Sequence, residues 1–244
     1  MAWTLPSPTR GVWVKIPAVE VIEVLASAGV DFVVIDREHG AIDLREMTTM
    51  IAVGRGLGLP VFVRVPGHAT ELVQPALDAG ATGLFIPHVE DAETAKAVVD
   101  ACRFPPMGHR TGSLTTRMGT WGAESPAELV RRGNEELMLV AQIEDPQGVG
   151  NVEEIIAVPG LDAVFIGPFD LALSSGLSAT SPEFGDMVAA VEKAALGRRA
   201  LGGVAANAKA AADMLTSGYS FVMVGADVSL LASSARSLSN GVTA

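Results

Sequence analysis

Short, continuously apolar runs recur along this chain, with amphipathic stretches between them. Eight read as strands: Gly11–Ile16, Phe32–Asp36, Pro60–Val65, Gly83–Val89, Met138–Glu144, Ala163–Pro168, Leu201–Ala206 and Phe221–Ala226. Most lack the alternation of a strand with one wet face, so they fit strands buried on both faces of a parallel sheet. Glu20–Ala28 and Thr70–Asp78 carry apolar residues at three- and four-residue spacing and end near an Ala-Gly that suits a helix C-cap. Ala92–Ala101 and Ala205–Thr216 follow the same pattern, the latter ending in Ser217-Gly218. Strict β-α alternation over 244 residues predicts one α/β domain, a closed (β/α)8 TIM barrel spanning residues 1–244. The longest interruption, Cys102–Arg132, is rich in Pro, Gly, Arg and Thr. Loops this long inside a compact domain usually serve function, and its place after the fourth strand predicts that it lies at the catalytic end.

Charge and composition narrow the classes. The 17 basic and 28 acidic residues give a net charge of −11 with no basic cluster, which argues against nucleic acid and anionic lipid. Although 49% of residues are hydrophobic, no apolar run approaches the roughly 18 residues of a membrane span. A chain this apolar is expected to bury further surface between subunits as a homo-oligomer. Its start lacks both a basic region and an apolar core, so no signal peptide is expected and the protein reads as cytoplasmic. The single cysteine, Cys102, excludes an internal disulfide and a cysteine zinc cluster, and has no base near it in sequence.

The candidate chemistry sits where the apolar runs stop. Glu144 follows Gln142-Ile143, and Asp170 follows Gly167-Pro168-Phe169. A carboxylate there is costly unless its charge is used. Two such carboxylates suit a hard divalent cation, with water and substrate oxygens completing its shell. Each alone also reads as a helix cap or an arginine partner. Asp36-Arg37-Glu38-His39-Gly40 ends the second run, where His39 suits a general base whose tautomer a carboxylate holds. His68, His88 and His109 read as structural. Arg64, within a Val/Phe run, suits a carboxylate or developing enolate, and equally an ion pair with Asp36 or Glu38. Lys15 is the one lysine placed for a Schiff base, although a rim charge fits it better; Lys96, Lys193 and Lys209 fall in helices. Gly54-Arg55-Gly56-Leu57-Gly58 precedes a strand instead of following one, so it reads as a helix terminus and not as a dinucleotide site.

Asp36-x-Glu38-His39-Gly40, Val63-Arg64, Leu77-Asp78-Ala79-Gly80, Phe104-Pro105-Pro106-x-Gly108-x-Arg110, Gln142-Ile143-Glu144, Gly167-Pro168-x-Asp170-Leu171 and Val224-Gly225-x-Asp227 occur in this order. Over about residues 11–236, the set resembles the HpcH/HpaI family of class II, metal-dependent pyruvate aldolases. The resemblance implies that Glu144 and Asp170 bind Mg, Mn or Co and that Gln142 lines the pocket. It implies that Arg64 contacts the pyruvate keto or enolate oxygen. His39 would be the acid/base, oriented by Asp78 or Asp36, and backbone donors around Gly167-Pro168-Phe169 would hold the pyruvate carboxylate. The partners implied are pyruvate and a small aldehyde, with no nucleotide, flavin or Schiff-base lysine. It further implies a hexamer built from dimers that exchange the C-terminal helix, here roughly Ser229–Ser237.

Three positions depart from the pattern: Arg37 where a small residue is common, Thr111 where a glycine often follows the loop arginine, and Lys15 where a small polar residue is common. All three are expected near the mouth. With Asp36 and Glu38 they make up the expected rim, and the two cations predict a preference for aldehydes bearing a distal carboxylate. The rival readings are a CoA-ester lyase of the malyl-CoA type, a Schiff-base aldolase using Lys15, and a catalytically silent barrel.

Overall fold

The computed structural model describes residues 9–240. The opening residues that bear on a signal peptide, 1–8, and residues 241–244 lie outside this range. Eight strands alternate with helices: β1 (Arg10–Val14), α1 (Val19–Ser27), β2 (Phe32–Asp36), α2 (Leu44–Gly56), β3 (Val61–Arg64), α3 (Thr70–Asp78), β4 (Gly83–Ile86) and α4 (Ala92–Cys102). After a 3-10 turn at Thr120–Gly122 come α5 (Pro126–Glu135), β5 (Met138–Ile143), α6 (Pro146–Gly150), α7 (Val152–Ile156) and β6 (Ala163–Ile166). The chain continues through α8 (Pro168–Ser175), α9 (Pro182–Ala195), β7 (Ala200–Val204), α10 (Ala208–Thr216), β8 (Phe221–Ala226) and α11 (Asp227–Asn240). All strand pairs are parallel, and β1 closes on β8, so the expected barrel is present. Among the described residues no helix is long and apolar enough to cross a membrane.

Two apolar sets share each strand. Val33, Ile35, Val61, Val63, Leu84 and Ile86 point outward into the main core beneath the helices. Phe32, Val34, Phe62, Phe85, Val140, Phe165, Phe221 and Met223 fill the barrel interior. Inside, large rings oppose glycines. A Cβ on Gly11 would lie 2.2 Å from the Phe32 ring, and one on Gly202 would lie 2.1 Å from that of Phe221. Phe85 makes edge contacts with Trp13, Phe62, Phe165 and Phe221 at 5.4–6.0 Å. Burying each such side chain contributes about 1.5–3 kcal/mol. This plug is the floor of whatever sits at the top of the barrel.

The inward parity then turns polar. Two residues beyond Trp13 lies Lys15; beyond Val34, Asp36; beyond Phe62, Arg64; beyond Val140, Gln142 and then Glu144. A period of two keeps all of these on the barrel axis at the carboxyl ends of the strands, where barrels of this type carry their chemistry.

The 103–125 segment departs from expectation. Residues 92–102 form the crossover helix of β4, which returns the chain to the amino-terminal end of the barrel before the loop begins. The loop is fastened there. Buried Arg103 donates to the carbonyls of Gly133, Asn134, Leu137 and Gly160 and pairs with Asp162 at 2.6 Å. In one chain it therefore lies opposite the polar rim.

Candidate active site

Parallel register places Asp36, the last residue of β2, beside Arg64, the last of β3. Their side chains form a two-pronged pair: Arg64 Nε donates to Asp36 Oδ1 at 2.9 Å and Nη2 to Oδ2 at 2.6 Å. Asp36 is fully buried and also accepts from the backbone N–H groups of Glu38 and His39, each at 3.1 Å, while Lys15 Nζ lies 3.0 Å from Oδ2. Burial alone would push this carboxyl up, but the hydrogen bonds and charge of Arg64 prevail, with backbone and Lys15 donors, and hold it at about 2. Burial likewise opposes the charge on Arg64, yet Asp36 raises its pKa. Arg64 Nη1 lies 3.2 Å from Glu38, and the guanidinium stacks 4.6 Å from the centre of the Trp13 ring.

Glu144 sits across the rim, immediately after β5, and is 3% exposed. Its Oε1 accepts the backbone N–H of His88 at 2.8 Å and its Oε2 accepts Gln142 Nε2 at 2.7 Å. Gly167 makes room for it: a Cβ there would stand 3.0 Å from Glu144 Cβ and Oε2. Ser174, on α8, donates to the Glu144 carbonyl at 3.0 Å. The ring of His88 lies between two carboxylates, Nδ1 3.4 Å from Glu144 and Nε2 3.4 Å from Glu38. Glu38, His88 and Glu144 thus offer ligand atoms within 4.8 Å of one another, a candidate metal site. Burial, together with the charge of Glu144, raises the Glu38 pKa despite Arg64.

A cavity of about 540 Å³ opens at this rim, its polar lining Lys15, His39, Arg64, Gln142 and Asp170; Glu38, His88 and Glu144 do not line it. Pro168 and Phe169 also line it. Asp170 lies in the first turn of α8, and its carboxylate makes no hydrogen bond or ion pair among the described residues. The amide Oε1 of Gln142 is buried with no partner. The cluster of possible ligands holds Glu144 but not Asp170, whose carboxylate lines the cavity together with Gln142. Within Gly167-Pro168-Phe169 the anion donors are narrower than expected. Proline has no N–H, and the Gly167 N–H is taken by the Ile143 carbonyl at 3.1 Å. The helix start leaves those of Phe169 and Asp170.

Several expectations are revised by position. His39 lines the cavity, but neither Asp36 nor Asp78 touches its ring. Asp36 holds its backbone, and the nearest carboxylate to Nε2 is Glu38 at 3.9 Å. Asp78 ends α3 at the far end of the barrel, paired with Arg110 at 3.2 Å, because a crossover helix runs away from the catalytic end. Thr111 is there too, its carbonyl accepting from Gln74. Arg37 turns outward, its Nε donating to the Ile42 carbonyl at 3.3 Å, and it does not line the cavity. Lys15 does line it, engaged by Asp36 as a rim charge. His88, read as structural, belongs to the site. Extending the fourth strand to Val89 hid it, whereas β4 ends at Ile86 and Pro87-His88 begins the loop. Trp13 was missed because nothing in its run marks which face is inward. Cys102 is buried, and that burial pushes its thiol up to about 12.

Comparison with known proteins identifies the family. Residues 10–234 match the family model for HpcH/HpaI aldolase/citrate lyase. The chain is 38% identical over 231 residues to the hydroxypyruvate/pyruvate aldolase of Roseovarius nubinhibens, covering 93% of this chain and 89% of that protein. A solved HpcH/HpaI aldolase/citrate lyase family protein from Burkholderia cenocepacia J2315 superposes with a TM-score of 0.89 at 33% identity, covering 97% of this chain and 95% of that one. The HpcH/HpaI aldolase of Desulfitobacterium hafniense DCB-2 gives a TM-score of 0.90 at 29% identity, over 97% and 93% of the two chains. A barrel whose strand ends converge on paired carboxylates and a clamped arginine, matched over nearly its whole length, makes this chain a carbon–carbon lyase of the HpcH/HpaI aldolase/citrate lyase family.

Proposed function

We propose that this protein is a divalent-metal-dependent aldolase that forms or cleaves 4-hydroxy-2-oxoacids through a pyruvate enolate and an aldehyde. The observation that carries the reading is Arg64, fixed by Asp36, Glu38 and Trp13, facing the cavity that Gln142, Asp170 and the start of α8 also line. A cation there is preorganised for an oxygen on which negative charge develops, which is worth more than a mobile one because nothing must reorient. The N–H groups of Phe169 and Asp170 would receive the pyruvate carboxylate. His39, half-exposed at the rim, would take the methyl proton and return one to the new hydroxyl. The enolate carbon then bonds to the aldehyde carbon; cleavage reverses each step. Glu144 with Asp170, and His88 and Glu38 beside them, would hold the metal. When bound it would supply Lewis-acid stabilisation of the oxyanion. Lys15 Nζ is engaged by the fully buried Asp36 at 3.0 Å, which ties the amine to a structural partner instead of leaving it to attack a carbonyl.

Assembly belongs to the same reading. On α11, Leu231 is 64% and Leu238 75% exposed, and a groove of about 720 Å³ runs beside α10, lined by Ala208, Ala211, Ala212, Leu215 and Val224. Exposed leucines on a helix and an apolar groove support exchange of that helix between two copies.

Glu144→Gln should weaken Mn²⁺ binding at least tenfold in isothermal titration. Asp170→Asn and His88→Ala separate the two ligand sets: loss only in Asp170→Asn supports the carboxylate pair, loss only in His88→Ala supports the triad. Unchanged affinity in all three variants would sink the metal assignment. His39→Ala should slow deuterium exchange into the pyruvate methyl by about 100- to 10,000-fold; a wild-type exchange rate would assign the proton to another group. Leu231→Asp should reduce the sedimenting mass of the protein, and an unaltered mass would count against helix exchange.

A further inference from the structure

One wall of the 540 Å³ cavity is unlike the rest. Phe169 and Leu173, four residues apart on α8 and hence on one face of it, are 72% and 66% exposed, and Val204 at the end of β7 is 41% exposed. All three line the cavity whose other side carries Lys15, His39, Arg64, Gln142 and Asp170. Large apolar side chains grouped at a cavity mouth mark a surface that something apolar covers.

The charges point the same way. Arg64 is engaged by Asp36 and Glu38, Lys15 by Asp36, and Arg37 faces away. Around the site the carboxylates Asp36, Glu38, Glu144 and Asp170 face two cations, Lys15 and Arg64. Four carboxylates against these two cations leave two negative charges, the number a divalent cation would neutralise. Among the described residues that line the cavity, a carboxylate at the distal end of the aldehyde would find no cation without a carboxylate partner. Of the two cations behind the expected preference for acidic aldehydes, Arg37 does not line the cavity and Lys15 lines it already paired with Asp36.

We infer that the second substrate is an aldehyde with an apolar substituent, seated on Phe169, Leu173 and Val204, and that Leu173 determines the selection. The inference rests on the pyruvate-aldolase reading above and names its co-substrate class. The chemistry needs no further reactant. The enolate carbon bonds to the aldehyde carbon, the carbonyl electron pair moves to oxygen, that oxygen takes the proton, and the substituent is untouched.

The test compares 3-methylbutanal with succinic semialdehyde in the metal-loaded wild type and in Leu173→Ser, with pyruvate-methyl deuterium exchange measured first without aldehyde. Wild type should exchange pyruvate protons and favour 3-methylbutanal in kcat/KM. In Leu173→Ser the ratio of the two kcat/KM values should fall by about ten- to a hundredfold, the range that small apolar differences produce in such pockets. Phe169→Ala should lower the same ratio. Absence of exchange in wild type would overturn the pyruvate reading, and this inference with it. Exchange with a preference for succinic semialdehyde, or with a ratio that Leu173→Ser leaves unchanged, would overturn the inference alone. Equal losses on both aldehydes with a changed sedimenting mass would make the wall an interface between copies, which also overturns it.

Discussion

The site depends on the buried pair between Asp36 and Arg64. A guanidinium at the end of an apolar strand is tolerated only with a partner of matched geometry, since removing one member of a buried pair typically costs about 3–5 kcal/mol. Parallel register supplies that partner from the adjacent strand. Asp36 does three further things with the same two oxygens: it receives Lys15, and it receives the N–H groups of Glu38 and His39. The turn that presents Glu38 to Arg64 and His39 to the cavity is thereby tied to the arginine. The folded-state value of Asp36, about 2, lies below the ordinary value of about 3.9. Its stabilisation is accordingly in place above about pH 4 and lost as pH falls through about 2.

That pair is rigid because of what lies under it. The ring of Trp13 backs the guanidinium and itself meets Phe85 and Phe165, so the charged layer rests on the aromatic plug. The glycines opposite the rings leave the space that the rings occupy, as close interior packing demands. Gly167 repeats the device one layer higher, where the missing side chain admits Glu144. A scaffold held this way fixes Arg64, the His39 turn and Glu144 relative to one another, as the proposed chemistry would require.

The barrel and most of the rim were legible in the sequence, for different reasons. β2, β8 and α3 match their expected bounds because charged or glycine residues stop the apolar pattern abruptly at Asp36 and Asp78. β4 was read too long because Pro87-His88-Val89 looks as apolar as Gly83–Ile86, and that length concealed His88. Inward and outward positions were indistinguishable, since both faces of every strand are buried; Trp13, Val204 and the outward turn of Arg37 all fall in that gap. The resemblance implies Asp78 beside His39, and sequence order alone draws the 103–125 segment to the catalytic end. Which end of the barrel a residue reaches depends on whether it precedes or follows the crossover helix.

On the proposed reading, Asp36 organises the site without touching substrate. The most direct measurement is the rate of deuterium exchange into the pyruvate methyl in folded, metal-loaded Asp36→Asn. Asparagine keeps the shape but cannot hold both cations, so Arg64, Lys15 and the His39 turn lose their common anchor. Since a displacement of about 1 Å can reduce rates by about 100-fold, exchange should fall by at least that factor. A rate within threefold of wild type would contradict the account and leave Asp36 a bystander to Arg64.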